Sequence, residues 1–334
     1  MQFLIFTGGE KNDLFDLLFT DLRKLPQVTL HPELPRIPDR LGKLWSLHHS
    51  PTLNRCRPFP FRGCWSRYCS LYDFRPETGE EYCLVFNNVS IGYYEPSLLN
   101  RLKRKFGIKL VLYLLDSYSS YYSKQARIAR RQIQFDRVYT FHEPDAQQYQ
   151  MDFFDTYCSR LPIEEREHSG GAFFWGTDSG RGPVVEQVYD LLKSREIPAD
   201  FGICYTDPYR EKKAGIHYDE PLPYMEMLSR MTASDCIIDI AGEYSKGISL
   251  RPYEAVIYGK KLLTNNPLVK TMRFYHPEYM QVFEDPKEID LDFLNITGKV
   301  DYGYRNEYSP VCFVERLQRD LKQDTKKQEL KESK

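Results

Sequence analysis

Asp235-Cys236-Ile237-Ile238-Asp239-Ile240, then Gly247-Ile248-Ser249-Leu250-Arg251-Pro252-Tyr253-Glu254-Ala255, then Tyr258-Gly259-Lys260-Lys261-Leu262-Leu263-Thr264-Asn265-Asn266, is the stretch that decides the fold. It reads as a short apolar strand, a Gly-opened loop, a helix beginning near Leu250 and a second strand ending in Thr-Asn-Asn, half of a nucleotide-binding α/β domain. A helix N-terminus presents unpaired N–H groups and a partial positive charge, so a loop ending in Arg251 there suits a diphosphate. Glu254 lies one turn further in, where its carboxylate can accept from ribose hydroxyls.

The same alternation extends outward on both sides. Upstream, Ala172-Phe173-Phe174-Trp175 reads as a strand, Gly176-Thr177-Asp178-Ser179-Gly180-Arg181-Gly182 as a loop, and the next residues as an amphipathic helix carrying Val184, Val185, Val188, Leu191 and Leu192. Gly176 and Arg181 thus repeat the Gly247–Arg251 arrangement, giving a second guanidinium at a helix start. The strand Phe201–Tyr205 and a helix from Pro223 to Met231 complete this half. A domain boundary is expected near residue 168, at the flexible-looking His168-Ser169-Gly170-Gly171. The N-terminal half gives strands at 2–7, 82–87, 109–115 and 137–141, with helices capped by Asn12 or Asp13 through about Leu25, from about Glu95 to Phe106, and across Ser120–Gln134. The proline-rich segment 26–80 reads as long loops. Strands alternating with helices in both halves predict α/β architecture with parallel sheets covered on both faces.

The Gly-loop, the Arg251-x-x-Glu254 pair, the Ala255 to Gly259 run and the strand ending in Thr264-Asn265 resemble the donor-binding half of GT-B glycosyltransferases, above all the bacterial surface-polysaccharide and spore-maturation-like families. The resemblance implies two Rossmann-like, doubly wound domains facing a cleft: 1–167 for the acceptor, 168–309 for a nucleotide-sugar donor, with a helix over 310–321 returning to the first domain; the lysine- and glutamate-rich remainder, 322–334, reads by composition as a disordered tail or a frayed helix. It implies a ribose role for Glu254 and UDP- or GDP-linked sugar as substrate, with no cofactor. One position departs from it. Lys246 stands eight residues before Glu254, where many retaining members carry Glu, which leaves retention or inversion open.

Base and sugar contacts are expected from Tyr205, Tyr224, Ser249 and Asn265, at strand ends and helix starts. For a catalytic base, Asp116 and His142 follow strands of the first domain, with Glu10 and the pair His48-His49 as further options. Two arginines near a diphosphate supply the charge that metal-dependent enzymes take from a cation; the sequence's one Asp-x-Asp run is Asp290-Leu291-Asp292, outside these loops. Eight cysteines include no Cys-x-x-Cys pair, so they read as reduced, mostly buried thiols rather than zinc ligands or disulfides.

A net charge of −1 argues against general nucleic-acid binding. No apolar run approaches a transmembrane span, and the first residues read as a strand rather than a leader, so a cytoplasmic enzyme is expected. Arg55, Arg57, Arg62, Arg67 and Arg75 alternate with Phe59, Phe61, Trp65 and Tyr68. They form either a packed aromatic cluster with solvated arginines or, over 55–76, a peripheral contact at the inner membrane face, where a glycan or lipid-linked acceptor would be met. Two other readings fit the same pattern: a sugar-nucleotide 2-epimerase, and a catalytically silent partner of an active transferase.

Overall fold

The computed structural model describes every residue except 9–13, 32–34, 51–52, 54–61, 165, 243–246, 296–299 and 333–334. The chain divides into two compact units: Met1–Ser159 with Ser309–Lys334, and Arg160–Tyr308.

In the first unit the order is β1 (Gln2–Phe6), α1 (Leu14–Leu17), β2 (Val28–His31), α2 (Asp39–His48), β3 (Tyr82–Asn87), α3 (Pro96–Phe106), β4 (Lys109–Leu114), α4 (Lys124–Gln132), β5 (Arg137–Thr140), α5 (Glu143–Tyr149) and β6 (Asp152–Phe153). Its sheet has the strand order β2-β1-β3-β4-β5-β6, and every pairing is parallel. The second unit follows with β7 (Ala172–Thr177), α6 (Gly182–Ser194), β8 (Ala199–Cys204), β9 (His217–Tyr218), α7 (Tyr224–Ala233), β10 (Cys236–Asp239), α8 (Leu250–Tyr258), β11 (Lys261–Thr264), β12 (Met280–Val282) and α9 (Asp292–Asn295). Its sheet, also all parallel, is ordered β12-β11-β10-β7-β8-β9. The chain closes with α10 (Pro310–Glu332).

Both orders are doubly wound, so each sheet has one point where the winding reverses: between β1 and β3 in the first unit, between β7 and β10 in the second. Crevices that take ligands form outside the strands' carboxyl ends at such points. Apolar faces dictate the cores. Leu84, Leu110, Leu112 and Leu114 of the first sheet pack with Leu98, Leu99 and Leu102 of α3. Phe201, Ile203, Ile238 and Leu263 of the second pack with Val185, Val188 and Leu192 of α6.

Several expectations need correction. The unit boundary lies at Ser159/Arg160, not near 168. The expected flexible junction is instead tied into the second unit: the Ser169 N–H donates to the Ala233 carbonyl and the Gly171 N–H to Asp235 Oδ2. Gly171 has φ +64°, and a Cβ there would lie 2.0 Å from the Pro198 carbonyl oxygen, so its glycine serves tight packing rather than mobility. Segment 26–80 is not all loop, because its prolines flank elements instead of interrupting them. β2 fits between Pro26 and Pro32, and Pro38 is the N-cap of α2. The helix expected through Leu25 is only the turn α1 and a 3-10 stretch at Thr20–Lys24, and its expected caps Asn12 and Asp13 lie outside the described residues.

Of the two expectations for the tail, a disordered tail or a frayed helix, the structure has the helix, since α10 continues to Glu332. Side-chain anchors explain the extension. Phe313, Val314, Leu317 and Leu321 are buried, and the Phe313 ring meets Tyr113, Tyr139, Phe154 and Tyr157 of the first unit. Beyond them, Tyr139 donates to Asp320 at 2.8 Å, and Arg137 bridges Asp152 and Asp324.

Candidate active site

At the second unit's reversal point, β7 and β10 deliver their carboxyl ends side by side and two arginines fasten them. Arg181, the N-cap residue of α6, donates through Nη1 to the Ile240 carbonyl at 2.5 Å and through Nε to the Thr177 carbonyl at 2.7 Å. Its guanidinium also lies 5.3 Å from the Phe174 ring centre. Gly176 makes room for this, since a Cβ there would stand 2.6 Å from Arg181 Nη2. Burial pushes the Arg181 guanidinium below its usual range. Asp239 offsets that effect, and Arg251 adds to it as a like charge. Arg181 makes no ion pair among the described residues, so carbonyls and a ring face hold it, not a carboxylate.

Arg251 is held differently. Its Nη1 pairs with Glu254 Oε2, and its Nη2 donates to the Trp175 carbonyl at 3.2 Å. Glu254 is fully buried, and its other oxygen accepts from the Tyr224 hydroxyl at 2.7 Å. A guanidinium has five N–H donors, and these two bonds leave others for a ligand. Ser249 caps α8: its hydroxyl accepts from the Arg251 N–H and donates to Asp239 Oδ1 at 2.7 Å. Thr264 Oγ1 donates to the other Asp239 oxygen at 2.9 Å. Asn265 accepts from the Ala241 N–H, and Asn266 donates to the Gly247 carbonyl. The loop after β10 is thereby fixed at both ends. Lys246 lies outside the described residues.

The first unit's reversal point is built from β1, β3 and β4. Asn87 donates to the Thr7 carbonyl and accepts from the N–H groups of Val89 and Ser90. Asn88 accepts from the Leu115 N–H and donates to Asp116 Oδ2 at 2.9 Å. Asp116 Oδ1 has no protein donor among the described residues. Burial raises the Asp116 pKa, and the Asn88 bond partly offsets the rise. Asp116 lines a cavity of about 430 Å³ with Trp45, His49, Asn88, Tyr93 and Tyr122. The His49 ring is spent on structure: Nδ1 lies 2.9 Å from the Trp45 carbonyl, which can only accept, and Nε2 lies 2.9 Å from buried Glu95. His142 does not line this cavity. Its Nδ1 stands 3.1 Å from Asp145 Oδ2, off the line of a hydrogen bond, while that oxygen accepts from the Tyr118 N–H.

The structure therefore brings Gly176, Arg181, Gly247, Ser249, Arg251, Glu254 and Asn265 to one reversal point, with Tyr224 joined through Glu254. In the conformation described, the hydroxyls of Ser249 and Tyr224 and the Oδ1 of Asn265 hold that frame. Tyr205 stands apart, three-quarters exposed with φ 56° after β8. Asp116 and His49 share a cavity; His142 does not join them; Glu10 lies outside the described residues. Sequence reasoning missed Asp239 and Asn88. A carboxylate inside the apolar run Cys236–Ile240 was the available signal, because such a buried charge needs partners. For Asn88 it was the Asn87-Asn88 pair where a strand ends.

Of the basic, aromatic segment, Trp65 is buried and donates to His48 Nδ1, which fits the packed-cluster reading, while Arg67 and Arg75 are exposed. Arg55, Arg57, Phe59 and Phe61 lie outside the described residues. No group of three or more His, Cys, Asp or Glu side chains among the described residues is placed to hold a metal ion, and no helix there is long and apolar enough to cross a membrane.

No family model and no curated protein matches the chain. Among solved structures, it is similar to T4 phage β-glucosyltransferase in complex with UDP-glucose, with 10% identity, a TM-score of 0.46 and 88% of each chain covered. It is similar to UDP-N-acetylglucosamine 2-epimerase from Rickettsia bellii, with 11% identity, a TM-score of 0.45, and 93% of this chain and 92% of that one covered. The glycotransferase of kitacinnamycin gives 10% identity and a TM-score of 0.37 over 65% of this chain, which spans 66% of that protein's length. At such identity none of them lends this chain its activity.

Proposed function

We propose that this protein is a metal-independent glycosyltransferase of the GT-B type, moving a sugar from a nucleoside diphosphate to a glycan or lipid-linked acceptor in surface-polysaccharide synthesis. The observation that carries the reading is Arg181, a half-buried guanidinium with no carboxylate partner among the described residues, beside Arg251 at the reversal point of the second unit's parallel sheet. Breaking the anomeric bond leaves negative charge on the diphosphate, and two guanidiniums with the capped N-terminus of α8 stabilise that charge as it develops. Those cations support donor binding without a metal. Glu254 meets the ribose on this reading, directly or through Tyr224. Asp116 supports the role of general base better than His142 or His49 does, because it has an unpartnered oxygen and a raised pKa. Exposed Arg67 and Arg75 suit a peripheral contact with an anionic inner membrane face, which implies a cytoplasmic enzyme.

Titration calorimetry with uridine and guanosine diphosphates tests the donor site, followed by product analysis with the sugar nucleotide that binds. Arg181→Met should weaken the diphosphate by about 1.5–3 kcal/mol, the value of a hydrogen bond to a charged group, and leave the free nucleoside unchanged. Unchanged diphosphate affinity in both Arg181→Met and Arg251→Met refutes the site. Accumulation of an epimerised sugar nucleotide in place of a glycoside assigns the chemistry to epimerisation.

A further inference from the structure

The cavity beside Asp116 differs from the donor site in one decisive respect: its described lining includes no Lys or Arg. It holds the Asp116 carboxyl, and a second buried carboxyl, Glu95, stands behind His49. A phosphate entering this space would meet the Asp116 carboxylate as like charge, with no Lys or Arg of the described lining to offset it. Its walls are aromatic. Trp45 stacks on His49 at 4.4 Å, and its ring runs within 11° of parallel to Tyr93 at 6.0 Å. At the mouth Tyr122 is 71% exposed, with Tyr121 beside it at 75%.

We infer that this cavity binds an uncharged pyranose ring of the acceptor, stacked on Trp45, Tyr93 and Tyr122 with a hydroxyl on Asp116 Oδ1, and that it rejects phosphorylated groups. The inference deepens the transferase reading, on which it rests, by naming the chemistry of the acceptor's reacting end. A pyranose face carries weakly positive C–H groups, which match the negative faces of aromatic rings, and its rim carries hydroxyls, which match a carboxylate and amides. The space, about 430 Å³, lies within the usual range of small-ligand pockets, roughly 300–1,000 Å³. Asn88 holds one oxygen of Asp116 and so aims the other. A lipid diphosphate can still be part of the acceptor, provided that the sugar ring at its end enters here.

The test uses the full-length protein and saturation-transfer NMR with neutral methyl glycopyranosides of glucose, galactose, mannose, N-acetylglucosamine and rhamnose. Inorganic phosphate and glycerol phosphate serve as anionic probes, and uridine and guanosine diphosphates are titrated in parallel. At least one glycoside should show saturation at ring C–H positions, and Tyr122→Ala should weaken it about tenfold, one stacking contact's worth. Asp116→Asn should weaken it as well. Both variants should bind the diphosphate with wild-type affinity, which also reports that they are folded. Diphosphate binding with no glycoside binding overturns this inference alone. Glycoside binding with no diphosphate binding supports the pocket and sinks the transferase reading. Competition by phosphate as effective as that by the glycosides overturns the chemical class.

Discussion

On the transferase reading, Asp116 serves function at the expense of stability. Its folded-state pKa is raised above the unfolded value, about 3.9. A raised carboxyl pKa favours the fold at pH below the unfolded value, and that benefit is lost as pH rises through the folded pKa. Asp116→Asn keeps an acceptor for Asn88 and removes the desolvated charge. It should therefore melt above the wild type at pH 7, with the difference disappearing below about pH 4. Transfer should fall in the same variant, and the acidic limb of the wild-type rate profile should vanish; thermal melts across pH and the rate profile check both halves. Glu254 behaves differently, because both of its oxygens hold donors. Glu254→Ala removes the carboxylate from Tyr224 and Arg251 and should cost about 3–5 kcal/mol, the price of breaking a buried ion pair, whereas Glu254→Gln should cost less in denaturant melts.

At the scale of elements, β10, α8 and β11 were legible because each local signal agreed with the next. An apolar run, a Ser cap and a C-terminal Gly259 with φ +61° place that helix within a residue or so. Prolines misled the reading of 26–80, since composition does not say whether a proline bounds an element or breaks it. The site was legible in the same uneven way. Arg251 and Ser249 sit inside a local pattern, but the cavity of Asp116 draws Trp45, Asn88 and Tyr122 from separated segments, and no periodicity connects them. α10 extends further than its apolar spacing suggested because Asp320 and Asp324 find partners distant in sequence. Phe313→Ala should cost about 3–5 kcal/mol in urea unfolding, as a large side chain lost from a core. Asp324→Ala, which breaks a half-exposed pair, should cost about 0.2–1 kcal/mol.

For the whole molecule, two units with separate cores predict that unfolding is not a single transition. A ligand that binds only the folded form of one unit stabilises that unit, by about 2.7 kcal/mol at a hundredfold excess over Kd. Calorimetric scans should therefore show the nucleoside diphosphate raising one transition and the methyl glycoside raising the other. A uniform shift of one cooperative peak by either ligand would mean that the units unfold together.

The cysteines give each unit its own clock. Cys83 and Cys236 lie on strands beside the two reversal points, fully buried, and burial raises both thiols far above their ordinary range; Cys69 is pushed up to about 12. Alkylating reagents attack the thiolate, so these positions stay silent until their surroundings open. Cys64 is exposed and supplies the reference for reagent activity. Timed alkylation read by peptide mass spectrometry would follow the opening of the second unit's sheet at Cys236 and of the first unit's sheet at Cys83 in one sample, from a chain that needs no engineered label.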